Sequence, residues 1–412
     1  MHYYEIYALL KEKFSLVDDN CIIDELGVSI EKVKLISENA AAFLPGSSEL
    51  YCPQHKVNFQ EQCHTLLEDA SGIAVSDYDI PTNKACNYYI LKLTDKQQAD
   101  GYILFFHGLN EKRWDKYLPW AYELAKRTNK AVVLFPIAFH MDRAPETWSE
   151  KQRMLRIANE RIAANPENAL NASFINAAIS SRLEHFPQRL FWSGMQTYAD
   201  VVQFIESVKT GKQAAIKSNA SIDLFGYSIG SFLSCILLMA NPNNYLPTAK
   251  LYCYCGGMTI DRMFPVSKYI MDASSAIAMQ GKYAELLSAN FANDARMEHY
   301  QNAALHPETS WFKTMLRYNY FSKEREARLR ELAPRIKALV LKQDEVAHPV
   351  EALNTLQGGY RDIPVEVEIA DYKYPYSHMN PFSLVHKFAP EVDEAFESFV
   401  QSMADFYNKD IN

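Results

Sequence analysis

Glycine is scarce in this chain of 412 residues: there are 14, about half of an average usage of about 7%. That shortage excludes collagen-like, glycine-linker and other low-complexity architectures, and it makes each remaining glycine worth reading by position. Long apolar runs are missing as well. None approaches the roughly 18 residues of a membrane span. The opening stretch carries Glu5, Lys11, Glu12 and Lys13 rather than the charged and then apolar pattern of a signal peptide. Positive charge is not in excess, because Lys+Arg 42 against Asp+Glu 50 gives a net charge of −8. No global field would therefore gather phosphate backbones or anionic lipid, and nucleic acid is not an expected partner.

Cysteine is sparse and odd in number, seven in all, without the spacing of a small disulfide scaffold. Reduced thiols in a cytoplasmic setting are the expectation. Cys52, His55, Cys63 and His64 lie close in sequence, but their spacing fits no standard zinc knuckle, so neither a metal nor a cofactor is expected. Cys253 and Cys255 alternate with tyrosines and read as small buried apolar residues.

What the chain does have is core material: 48% hydrophobic residues, with 25 Tyr and 22 Phe. At this length one large decorated domain is expected. Residues 1–72 read as a helical N-terminal extension, with the segment 29–36 following a 3.6-residue period. From residue 73 the signals turn to strands, at 73–80, 87–93 and 101–106, the first two forming an antiparallel start. Apolar or β-branched runs follow at 131–135, 221–225, 250–254, 338–341 and 365–369, separated by helical stretches. Near-continuous apolar strands of this kind suit a mostly parallel, doubly wound α/β sheet of about eight strands. Two connections exceed a simple crossover. Residues 137–219 are expected to line the site in part, and 258–334 to form a helical cap between core segments 73–257 and 335–412.

Gly226-Tyr227-Ser228-Ile229-Gly230 follows the strand signal at 221–225 and opens an apolar helix. This G-x-S-x-G pattern places a serine on a sharp strand-to-helix turn, with glycines where the two backbones must approach. A serine hydroxyl needs a base and an orienting acid. Asp344 follows the strand signal at 338–341 and His378 the one at 365–369, so Ser228, Asp344 and His378 each lie beyond a strand's carboxyl end. Glu345 stands beside Asp344 and remains an alternative acid; Asp261 is a more remote one, better suited to capping a helix. His299, His306, His348 and His386 read as surface or packing residues.

Residues 73–405 resemble an α/β-hydrolase domain on this elbow, this Ser-Asp-His order and the sequence Phe105-Phe106-His107-Gly108-Leu109-Asn110, which is similar to the family's loop after its third strand. The resemblance implies an oxyanion hole built from the backbone N–H groups of Leu109 and Ile229, with His107 orienting the loop. It implies a cofactor-free serine hydrolase cleaving an ester or related acyl bond of a small molecule. A catalytically silent binding protein, an acyltransferase and a peptidase are the alternatives on the same fold. The sequence departs from the family pattern in two places: one glycine follows His107 rather than three, and Lys342-Gln343 precedes the acid where a glycine is common.

Candidate substrate contacts are His107, Arg143, Trp148 and Tyr227, with Met258, Met263, Phe264, Tyr269, Ile270 and Met271 as possible lining of an apolar pocket. Arg143 has a second reading, as a clamp for its own loop through Asp142 or Glu146. Thr197 reads as a helix N-cap. The oligomeric state is left open.

Overall fold

The computed structural model describes residues 1–47, 50–60, 73 and 75–409. Its centre is a nine-stranded sheet. The strands are β1 (Asn20–Ile23), β2 (Val28–Ile36), β3 (Ala85–Leu93), β4 (Ala99–Phe106), β5 (Ala131–Leu134), β6 (Ile216–Tyr227), β7 (Leu251–Tyr254), β8 (Ile336–Leu341) and β9 (Glu366–Ala370). Their order across the sheet is β1-β2-β3-β5-β4-β6-β7-β8-β9. The six strands from β5 to β9 in that order pair in parallel, while β1, β2 and β3 add antiparallel strands at one side. This is the mostly parallel α/β architecture that the strand pattern predicts. The central strands are apolar throughout because helices cover both faces: β5 and β7 are buried at every position.

The count is nine strands rather than about eight, and the N-terminal region is where the difference arises. Among the described residues of that region, α1 (Tyr3–Phe14) is the one substantial helix. It packs through Tyr3 on Phe396 of the last helix, with ring centroids 4.8 Å apart. The segment expected to be helical at 29–36 is β2, in unbroken register with β3 from Val28 opposite Leu93 to Ile36 opposite Ala85. Its short apolar run satisfies either period; β-branched Val28, Ile30, Val33 and Ile36 tip it to the strand, where the pleated surface suits them. β1 then pairs with β2 and supplies the additional strand.

The strand expected at 73–80 is absent among the described residues. Asp77–Asp79 form a 3-10 turn and Pro81–Lys84 a short helix. Asp77 is buried and receives Arg182 and Arg189, and Arg182 also takes the carbonyls of Ile73 and Val75, acceptors that a strand ladder would use.

The two long connections are helical. The first contains Lys151–Ala164, Ala177–His185 and α2 (Arg189–Lys209); the second contains Ala273–Ser288, Ala295–Gln301 and Ser322–Leu332. Thr197 is not an N-cap, because α2 begins eight residues earlier. Inside the helix its hydroxyl donates to Ser193 O and accepts from Ala138 N. No helix among the described residues is long and apolar enough to cross a membrane. The described cysteines are free thiols.

Candidate active site

β6 ends at Tyr227, and α3 (Ile229–Ala240) begins two residues later. Ser228 alone makes the turn between them, at φ 56° and ψ −119°. A non-glycine residue in that region costs about 1–3 kcal/mol, so the surrounding structure must enforce it. The enforcement is close backbone packing: a Cβ on Gly230 would fall 2.5 Å from Phe106 O, and one on Gly226 would fall 2.4 Å from Ser231 N. Ser228 N donates to Tyr254 O at 3.1 Å, fixing the turn to β7.

The loops beyond β8 and β9 converge on that serine. His378 Nε2 lies 2.9 Å from Ser228 Oγ, and His378 Nδ1 lies 2.7 Å from Asp344 Oδ2. All three residues are buried. The other Asp344 oxygen accepts from Val346 N at 2.9 Å and Ala347 N at 2.8 Å. Burial opposes charge on Asp344, but the adjacent His378, its hydrogen bond and those two amides hold the carboxyl below its ordinary value. Glu345 is exposed, and the carboxylate that His378 bonds is that of Asp344. Asp261 is likewise elsewhere, accepting from Tyr318 N and Thr259 Oγ1.

The loop after β4 lies beside the elbow. His107 donates from Nδ1 to Gly108 O at 2.8 Å and accepts at Nε2 from Ile137 N at 3.0 Å. Both ring nitrogens are thus occupied in a fully buried residue, and His107 holds the loop rather than contacting substrate. Burial, then neighbouring His140, push its pKa well below the ordinary value, so the ring stays neutral. Gly108 N donates to Tyr117 Oη at 3.0 Å. Asn110 adopts φ 61°, and its side-chain amide donates to Ile175 O and Tyr269 O, tying the loop to both long connections. Among the described residues no backbone acceptor takes the amide hydrogens of Leu109 or Ile229. The latter opens α3, where free N–H groups are normal.

Two other expected contacts are corrected. Arg143 is fully buried, paired with Asp200 at 2.7 Å and bonded to Asn83 and Pro136 O. It does clamp its loop, but through a carboxylate on α2 rather than Asp142 or Glu146. Tyr227 is also fully buried; its hydroxyl donates to His378 O and its ring stacks on the imidazole. Met258, Met263, Ile270 and Met271 belong to the main core, whereas Phe264 and Tyr269 are exposed.

Trp148 does line a cavity, of about 50 Å³, together with Leu109, Lys112, His140, Ile179 and Leu183. Two polar atoms of these residues, Trp148 Nε1 and His140 Nε2, have no hydrogen-bond partner among the described residues. Arg182 and Arg189 also reach this wall, but each is paired with Asp77. Lys112 is different: among the described residues it makes no ion pair or hydrogen bond. Burial lowers it to about 8, against the raising effect of Glu111. Nothing in its sequence context singles it out beyond its position three residues after Leu109. Cys255 was also unforeseen. Its Sγ lies within 4.8 Å of ligand-type atoms of Asp344 and His378, and burial, then the Asp344 charge, push the thiol well above its ordinary pKa.

The sequence matches the model of a family of unknown function (DUF6051) over residues 1–408. No curated protein matches it. Among solved structures, a thermostable esterase from Pseudomonas putida ECU1011 is similar at 12% identity and TM-score 0.46, covering 98% of this chain and 90% of that one. Esterase LipW from Mycobacterium marinum is similar at 10% identity and TM-score 0.45, covering 98% and 87%. Brefeldin A esterase, described as a bacterial homologue of human hormone sensitive lipase, is similar at 12% identity and TM-score 0.44, covering 98% and 84%. Likeness of that degree says nothing of activity, which must be argued from the site.

Proposed function

The chain belongs to that family of unknown function, and on the strength of its site we propose that it is a serine hydrolase that cleaves an ester or related acyl bond. The observation that carries the reading is the continuous Asp344–His378–Ser228 hydrogen-bond chain, at 2.7 and 2.9 Å, ending on a serine held at positive φ.

In this mechanism Ser228 Oγ attacks the acyl carbon while His378 Nε2 takes the hydroxyl proton. Asp344 keeps His378 protonated at Nδ1 and stabilises the imidazolium. The N–H groups of Leu109 and Ile229 donate to the developing oxyanion, a pair worth a few kcal/mol in the transition state. His378 then returns the proton to the leaving alcohol, which departs and leaves the acyl-serine. Water attacks that ester, losing its proton to His378, and the acid is released as the proton returns to Ser228. Another acceptor in place of water makes the same centre an acyltransferase.

The cavity beside Leu109 serves as the acyl pocket. Its volume of about 50 Å³ leaves room for only a few non-hydrogen atoms, given that one water needs about 10–15 Å³ on that measure. A short acyl chain fits that space. Lys112 supplies an uncommitted cation at the wall and Trp148 Nε1 a free donor, so a short acyl group ending in a carboxylate meets the available chemistry. The helical connection 258–334 acts as a cap through the Tyr269 carbonyl that holds Asn110.

The test is labelling with a fluorophosphonate probe. Native protein is expected to be labelled and Ser228→Ala not. Labelling that is absent in the folded wild type, or that survives in Ser228→Ala, overturns the assignment. A p-nitrophenyl ester series should then show the highest kcat/KM at acetyl to butyryl and little turnover of octanoyl.

A further inference from the structure

Four side chains suited to metal ligation converge away from the triad, from two distant parts of the chain. Cys52 closes the first strand of a short hairpin, Tyr51–Cys52 paired with Val57–Asn58, and His55 sits in its turn. His299 lies on the helix Ala295–Gln301, and His306 lies in the turn that follows. Cys52 Sγ is 3.5 Å from His55 Nδ1 and 3.5 Å from His306 Nε2. His306 Nε2 is 3.0 Å from His299 Nε2. One ligand-type atom from each of the four lies within 4.8 Å of all the others.

These separations are close to the edges of a tetrahedron around a zinc ion. Zinc–sulfur bonds of about 2.3 Å and zinc–nitrogen bonds of about 2.0–2.1 Å give S···N edges near 3.5 Å and N···N edges near 3.3 Å. Hydrogen bonding alone satisfies the group poorly. His306 Nε2 faces both a ring nitrogen and a thiol, yet a ring nitrogen is either donor or acceptor at one time. Aromatic rings wall the cluster: Phe59 lies 5.1 Å from His299 and Tyr300 lies 4.8 Å from His306, between centroids. A cation receives a lone pair from all four groups at once, which no protonation pattern of the side chains achieves.

We propose that Cys52, His55, His299 and His306 form a tetrahedral zinc site that fastens the hairpin at 51–58 to the helical connection 258–334. One thiolate and three imidazoles suit borderline zinc and not magnesium or calcium, which take oxygen ligands. All four positions are filled by protein, so the site is structural and leaves no place for an activated water. Binding converts the Cys52 thiol to thiolate, and its proton passes to solvent. The bond joins residues 254 positions apart. The sequence spacing of Cys52, His55, Cys63 and His64 argued against a metal; of these, Cys52 and His55 take part in this cluster, while Cys63 and His64 lie outside the described residues.

The test uses the full chain, purified from zinc-supplemented medium and dialysed against metal-free buffer. Elemental analysis is expected to find one zinc per chain in the wild type and to lose it in Cys52→Ser and His306→Gln. Exchange for cobalt is expected to give tetrahedral d–d bands and a thiolate-to-cobalt charge-transfer band, the latter absent in Cys52→Ser. Chelation should lower the wild-type Tm and leave that of Cys52→Ser unchanged. Substoichiometric zinc, zinc retained in Cys52→Ser, or a cobalt spectrum without the thiolate band overturns the site. The wild-type zinc and cobalt measurements decide the question even if the variants fail to fold.

Discussion

Tyr227 and His378 are stacked, with ring centroids 5.3 Å apart and planes at 22°, while the tyrosine hydroxyl donates to the histidine's own carbonyl. The residue immediately before Ser228, the proposed nucleophile, thus holds His378, its proposed base, from two directions. Tyr227 has no exposed surface, and Lys116 Nζ sits 4.7 Å from the centroid of the same ring, so it is a positioning residue and not a substrate contact.

Removing only the hydroxyl separates these roles. Tyr227→Phe keeps the stacked ring and loses one hydrogen bond, worth about 1 kcal/mol, so kcat should fall about fivefold. KM for a short p-nitrophenyl ester should stay unchanged, because no substrate contact is lost. Steady-state kinetics with both parameters resolved provides the check. A raised KM with unaltered kcat would contradict the positioning role.

The choice of acid gives a sharper contrast. Asp344→Asn should lower kcat by about 10⁴-fold, since an amide favours the wrong imidazole tautomer, whereas exposed Glu345→Gln should leave it within about twofold. Linkage adds a second readout. The Asp344 carboxyl is held below its ordinary value in the folded protein, so it stabilises the fold above the unfolded-state pKa of about 3.9 and loses that contribution as pH falls through its lower folded value. Acid unfolding followed by circular dichroism should therefore be less steep below about pH 4 in Asp344→Asn. Equal steepness would mean that the carboxylate is not held as described.

Arg143 belongs to stability instead of recognition. Its side chain and that of Asp200 are both wholly buried, and Asp200 also accepts from Ser37 Oγ at 2.6 Å and Asn39 Nδ2 at 3.0 Å. Arg143→Met would leave that carboxylate buried without its cation, at a cost of about 3–5 kcal/mol. Thermal melting should report the loss, and the folded fraction should retain its KM. An unchanged melting temperature with a raised KM would return Arg143 to the substrate.

The positions of Ser228, Asp344 and His378 were legible in the sequence because each follows a strand signal: largely apolar segments at 221–225 and 338–341, and the alternating 365–369 of the exposed edge strand β9. β2 was not legible, since Val28 to Ile36 satisfies two periods and only pairing with β3 decides between them. The fate of Arg143 was half legible. A clamp was foreseeable, but its partner, Asp200, lies 57 residues away. On the helix Ser322–Leu332, whose interleaved Lys, Arg and Glu residues suit a solvated face, Arg325 nevertheless turns inward to the carbonyls of Thr314, Tyr318 and Tyr320. His299 and His306 carried no signal of their own, because what gathers them with Cys52 is tertiary. Spacing reveals ligands only where one short segment supplies them all.

Lys112 allows the proposed acyl pocket to be tested by pH. Burial lowers this lysine to about 8, so it is charged below that pH and largely neutral above it. If it reads a carboxylate on the acyl group, kcat/KM for a succinyl hemiester relative to the neutral butyryl ester should fall as pH rises from about 7 to about 9. The ratio cancels the titration of the triad, which both substrates share. Lys112→Met should lower the ratio at every pH and flatten its profile. Lys112→Arg, whose guanidinium stays charged, should restore part of the preference without the decline above 8. A wild-type ratio that is flat across this range, or one that Lys112→Met leaves unchanged, would detach the cation from the acyl pocket while leaving the Ser228 assignment intact.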